Sequence, residues 1–122
     1  MDGYTDITIE QKQQEIEEAK EKIELADALE RLNKNEDFIR VIGYEYCNKE
    51  AIRLVHLLGD TNYGNTDSEA RRKDIYEMQM GIARLCEYFR RISFNGNQGV
   101  KTLMAIAQAE EDARKEKEQQ TE

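Results

Sequence analysis

Residues 66–95 read TDSEARRKDIYEMQMGIARLCEYFRRISFN, and the spacing of their apolar side chains decides the fold. Ile75, Met78, Ile82, Leu85, Phe89 and Ile92 are separated by three, four, three, four and three residues. A helix wound at about 3.5 residues per turn holds all six on one stripe. Arg71, Arg72, Lys73, Glu77, Arg84, Glu87, Arg90 and Arg91 fall mostly off it, leaving one wet side. Such a seam needs other helices to cover it. Thr66-Asp67-Ser68-Glu69 supplies capping signals at its start, and Asn95-Gly96-Asn97-Gln98-Gly99 reads as a turn at its end.

Upstream, Thr8-Ile9-Glu10-Gln11 fits a capping box, so a first helix is expected from about Thr8 to Asn33, with residues 1–7 frayed. Ile9, Ile16 and Ile23 recur every seven residues, and Ala19 and Ala26 fill the alternate sites, where small side chains permit close approach. Leu25, Ala28, Leu29 and Leu32 widen the stripe, which suggests that the C-terminal half docks in the core while the N-terminal half projects or pairs with another chain. Asn35 is placed to cap the next helix, with Glu36 and Asp37 at its positive end. Phe38, Ile39, Val41 and Ile42 follow, and Gly43 fits the position just past a helix end. Tyr44 to Cys47 favours helix or turn over an extended link, because the chain offers no second strand to pair with. Asn48 is a candidate cap for a helix over Lys49–Leu58, whose Ala51, Ile52, Leu54, Val55, Leu57 and Leu58 make a wide apolar face suited to the centre of a bundle. Residues 59–67, GDTNYGNTD, read as a loop. Beyond the 95–99 turn, Val100, Leu103, Met104 and Ala107 open a last helix, and past Arg114 nothing remains to bury.

Across 122 residues there is no Pro and no Trp, 36% of residues are charged and 39% hydrophobic. Those values suit exposed helices, so the expected fold is all-α: a single-domain bundle of three to five helices with a long N-terminal helix and a solvated C-terminal tail, flexible at 1–7 and from about 114. The net charge of −8 resides at the two ends. Residues 1–34 carry ten acids against five bases, residues 35–107 balance at ten each, and residues 108–122 carry six against three. No basic footprint is present for nucleic acid, and anionic membrane would repel the chain. The N-terminus lacks a signal pattern and no run approaches the ~20 apolar residues of a membrane span.

Chemistry-bearing constellations are sparse. His56 is the single histidine, so no metal site or Cys–His pair is expected, and His56 reads as structural or partly exposed. Cys47 and Cys86 have no CxxC neighbour and are expected as free thiols in a reducing compartment. DTNYGNTDSE lacks the final ligand of a calcium loop. GNQG lacks a phosphate loop's lysine. No catalytic residue, cofactor or metal is assigned. The expected interaction surface comprises Ile9, Ile16, Ile23, Tyr44, Tyr46 and Tyr63, the tyrosines because a ring with a polar tip serves interfaces as well as core edges.

Residues 26–60, ADALERLNKNEDFIRVIGYEYCNKEAIRLVHLLGD, followed by 75–92, IYEMQMGIARLCEYFRRI, resemble small helical proteins encoded among the structural genes of tailed bacteriophages. The resemblance spans roughly residues 9–110. Its landmarks are an acidic Gln/Glu/Lys first helix, Ala-Leu-x-Arg-Leu, Asn-x-Asp-Phe, Glu-Ala-x-Arg-Leu-Val with Leu-Leu, and Ala-Arg-Leu-x-x-Tyr-Phe. Gly43 to Cys47 and Tyr63-Gly64-Asn65 depart from the pattern and take no role from it. The resemblance implies a virion or head-assembly component without enzymatic activity, located in the virion and in host cytoplasm during assembly. Its partners would be capsid, portal or neighbouring structural subunits, or further copies of itself. An alternative of another class is a small acidic regulator that inhibits a host nucleic-acid-binding protein through Glu10, Glu15, Glu17, Glu18, Glu21, Glu24 and Asp27.

Overall fold

The computed structural model describes residues 2–60 and 66–120, with side chains over 8–60 and 68–120. Every element among them is helical: α1 Asp2–Leu32, α2 Glu36–Phe38, a π-helical segment Ile39–Glu50, α3 Ala51–Asp60 and α4 Thr66–Gln120. α4, with 55 residues, is the longest element, and α1 has 31. α1 begins at Asp2 rather than Thr8, so the capping-box residues lie inside the helix.

The described chain forms two compact units. One joins α1 up to Ala28 with α4 from Ile92 onward; the other is Leu29–Arg91.

In the first unit α1 and α4 run antiparallel, and the contact is made by the smallest side chains available. Ala19 and Ala26 of α1 meet Gly99 and Gly96 of α4. A Cβ on Gly99 would lie 2.7 Å from the Ala19 carbonyl oxygen and 3.2 Å from Ile23 Cγ1, and one on Gly96 would overlap the Ala26 Cβ. This corrects the expected turn at 95–99: α4 continues through it, and Val100 to Ala107 belong to the same helix. Glycine costs a helix interior about 1 kcal/mol relative to alanine. Here that cost is offset by backbone approach, because only hydrogen fits between the two helices. Lys12 Nζ lies 3.1 Å from Glu110 Oε1 across the same antiparallel pair.

The middle of α1 is therefore covered by its own chain, while the side chains of residues 8–15 are exposed. Ile16 and Ile23 are half-buried and Ala19 is buried, whereas Leu25, Ala28 and Leu32, expected to dock, are exposed and Leu29 alone is buried among them.

In the second unit, the backbone turns at 33–35, where the Lys34 and Asn35 amides donate to the Arg31 and Leu32 carbonyls. Asn35 caps α2 as its sequence position suggests, its Oδ1 accepting from the Phe38 amide at 3.1 Å. From there the chain stays helical to Asp60. Gly43 and Asn48 both lie inside this run, so neither ends nor caps a helix.

The π-helical segment has a geometric reason. The covered positions along the run include Phe38, Ile42, Tyr46, Glu50, Leu54 and Leu58, a spacing of four, with Cys47 and Ala51 half-buried beside them. In an α-helix four residues overshoot a full turn by about 40°. Bonding from i to i+5 widens the turn to a little over four residues and swings the stripe back. Alternating α, π and α thus keeps a four-spaced stripe on α4.

Leu54 is fully buried against Ile75 and Ile82, with Tyr46, Ala51, Leu58 and Cys86 packed around them. Phe38 meets Phe89 edge-on, ring centroids 5.9 Å apart. The α4 seam differs from the sequence pattern by one position. Ser68, Arg72, Ile75, Gln79, Ile82, Leu85, Cys86 and Phe89 turn inward, while Met78 is exposed and Gln79 takes its place. The half of α3's apolar face formed by Ile52 and Val55 is also exposed. Gly59 and Asp60 belong to α3 rather than to a loop, and the rest of that expected loop up to Asn65 lies outside the described residues.

Candidate functional site

Three features could carry function: the uncovered apolar side chains, a polar cleft and the cysteine pair. Of the residues expected at an interface, Ile9 of α1 and Tyr44 of the π-helical segment are exposed, at 54% and 52%. Ile16 and Ile23 face α4 across the glycine contact, and Tyr46 packs on the Leu54 cluster with its hydroxyl beside Gly81. Tyr63 lies outside the described residues. Tyr44 also receives the Lys49 ammonium over its ring, 5.4 Å from the centroid, an exposed cation–π contact.

The structure leaves further large apolar side chains exposed. In the second unit Val41, Ile52, Val55, Met78 and Met80 are exposed; in the first, Phe94, Val100 and Met104, the last at 67%. Ile52 and Val55 are neighbours at three-residue spacing on α3, an exposed apolar pair outside the Leu54 core. Val100 and Met104 likewise step by four along α4 and are exposed, whereas Gly96, four residues before Val100, is buried against Ala26 of α1. The signal was present in the sequence as a surplus: α3 carries more apolar faces than one neighbouring helix can cover.

A cleft of about 340 Å³ lies where α3 and α4 converge, lined by Arg53, Leu57, Asp60, Arg71, Asp74, Ile75 and Met78. Its two arginines and two aspartates balance in charge. Arg53 is held by Glu50, with Nε donating to Oε2 at 2.9 Å and Nη2 donating to Oε1. That fork raises the guanidinium and lowers the Glu50 carboxyl from their usual ranges. Arg53 is exposed and Glu50 only half-buried, so the pair orders the surface more than it stabilises the fold.

Cys47 and Cys86 bring their sulfurs within 3.5 Å of each other, a contact that a sequence separation of 39 did not reveal. Both are free thiols. Burial, followed by the neighbouring Cys86 thiol, pushes the Cys47 thiol up. His56 is exposed, on the opposite flank of α3 from the thiols' core. Among the described residues no group of three His, Cys, Asp or Glu side chains is arranged to hold a metal ion, and no helix is long and apolar enough to cross a membrane.

Comparison with known proteins finds no matching family model, no matching curated protein and no matching solved structure.

Proposed function

We propose that this chain is a non-enzymatic structural or head/tail assembly component of a tailed bacteriophage, packing by its helical surfaces against other virion proteins. The observation that carries the assembly reading is the set of large apolar side chains left exposed on ordered helices, among them Ile52 and Val55 of α3 and Val100 and Met104 of α4. On this reading the helical bundle is completed by helices of partner subunits, and the acidic C-terminal end of α4 remains in solvent.

The assignment to a phage particle rests on the landmark pattern from Ala26 to Ile92. The acids of α1 are interrupted by Lys12, Lys20 and Lys22, and Lys12 pairs with Glu110. α1 therefore lacks the unbroken carboxylate face that a mimic of nucleic-acid phosphates requires, which favours assembly over inhibition.

The test is light scattering of the full chain, alone and mixed with capsid or portal preparations. Self-association or co-sedimentation with a particle, weakened at least tenfold by Val55→Glu or Met104→Glu, is the expected result. A monomer that binds neither particle nor portal overturns the proposal.

A further inference from the structure

Cys47 sits in the π-helical segment and Cys86 on α4, with Sγ atoms 3.5 Å apart and both side chains half-buried. A disulfide holds its sulfurs at about 2.05 Å, so closure asks the two to approach by about 1.5 Å. Cys86 packs against the Leu54, Ile75 and Ile82 cluster, so its sulfur is held in place opposite Cys47 instead of sweeping through solvent. That placement favours closure within the chain over cross-linking between chains.

We propose that Cys47 and Cys86 are a reversible thiol-modification site that closes into an intrachain disulfide, with a small-molecule disulfide such as oxidised glutathione as the oxidant. One cysteine thiolate attacks a glutathione sulfur, forming a mixed disulfide and releasing one glutathione thiolate. The second cysteine then attacks the protein-side sulfur and expels the second glutathione. Two protein thiols are oxidised to one disulfide, one glutathione disulfide is reduced to two thiols, and the two cysteine protons pass to the released glutathiones. The bond fastens the π-helical segment to α4. π-helical geometry is rare beyond a single turn and gathers at functional positions, and here it presents the sulfur at the contact. Burial and the neighbouring Cys86 thiol raise the Cys47 thiol, which favours its protonated form and slows its attack on disulfides.

The inference is independent of the assembly reading, and its test uses the full chain in glutathione mixtures of stepped ratio. Intact mass is read by mass spectrometry and stability by thermal melting. Expected is a monomeric species two hydrogens lighter, reverted by dithiothreitol, with Tm raised by about 10 °C as a 39-residue separation is closed. Cys86→Ser is expected to remain helical, to take a single glutathione adduct on Cys47, and to show no rise in Tm. Stable glutathione adducts on both cysteines, interchain cross-links as the main product, or failure to oxidise under conditions where the urea-unfolded chain does, would each overturn it. So would a Tm rise in Cys86→Ser.

Discussion

The two units of this chain solve the same problem in opposite ways. Where α1 meets the later half of α4, the helices come together on Ala19, Ala26, Gly96 and Gly99, and the stabilising contacts are between backbones. Where the helical run 36–60 meets the earlier half of α4, Leu54, Ile75, Ile82, Tyr46 and Phe38 fill the space with large side chains. Small residues permit closeness at little cost in side-chain entropy; large residues remove more apolar surface from water. The two designs consequently fail under opposite substitutions.

The largest expected effect is in the second unit. Leu54→Ala empties the one fully buried large side chain among the described residues and should cost about 2–5 kcal/mol, read from urea unfolding of the full chain. A loss below 1 kcal/mol would show that the surrounding helices collapse onto the space.

A smaller effect with a change of sign comes from matched glycine substitutions. Gly99→Ala forces a methyl group against the Ala19 backbone and should destabilise by about 1–3 kcal/mol, even after the helix-propensity gain. Gly43→Ala, in the π-helical segment with nothing within 4 Å of the added carbon, should stabilise by about 0.5–1 kcal/mol. Equal responses at the two positions would erase the distinction drawn between the units.

Smallest of all is the surface pair. Glu50 is held below its usual range by Arg53, so the pair's contribution is present above the ordinary carboxylate pKa and disappears as pH falls through the lowered one. Carboxyl NMR should show Glu50 titrating below an unperturbed glutamate, and Arg53→Gln should return it. A Glu50 midpoint unmoved by Arg53→Gln would assign the shift to another source.

Much of the local architecture was legible. The three-four spacing from Ile75 to Ile92 reads as helix because side-chain direction repeats with the backbone, and α4 is helical throughout. Asn35 reads as a cap because its short polar side chain reaches an orphan amide three residues on, and it does so. The heptad alanines of α1 read as sites of close approach, and Ala19 is buried. The misreadings share one cause. Asn95-Gly96-Asn97-Gln98-Gly99 looks like a turn wherever glycine's helix cost stands alone, and the compensating contact lies some seventy residues away on α1. Met78 and Gln79 are adjacent on the seam's edge, so a small rotation of α4 exchanges them. The interaction surface divided for the same reason: Ile16 and Tyr46 resemble Ile9 and Tyr44 in sequence, and differ only in whether another helix lies over them.

Helix content, the apolar stripe, the Asn35 cap and the charge balance were determined by the sequence itself, because each depends on residues within a turn or two of one another. Tertiary structure alone decided that α4 runs unbroken through Gly96 and Gly99, that the 39–50 backbone widens to keep a four-spaced stripe on its partner, and that two cysteines 39 residues apart meet at 3.5 Å. Those outcomes depend on which surfaces approach and how closely. Backbone separation and the register between helices are properties of the pair, so neither is written in the periodicity of one helix.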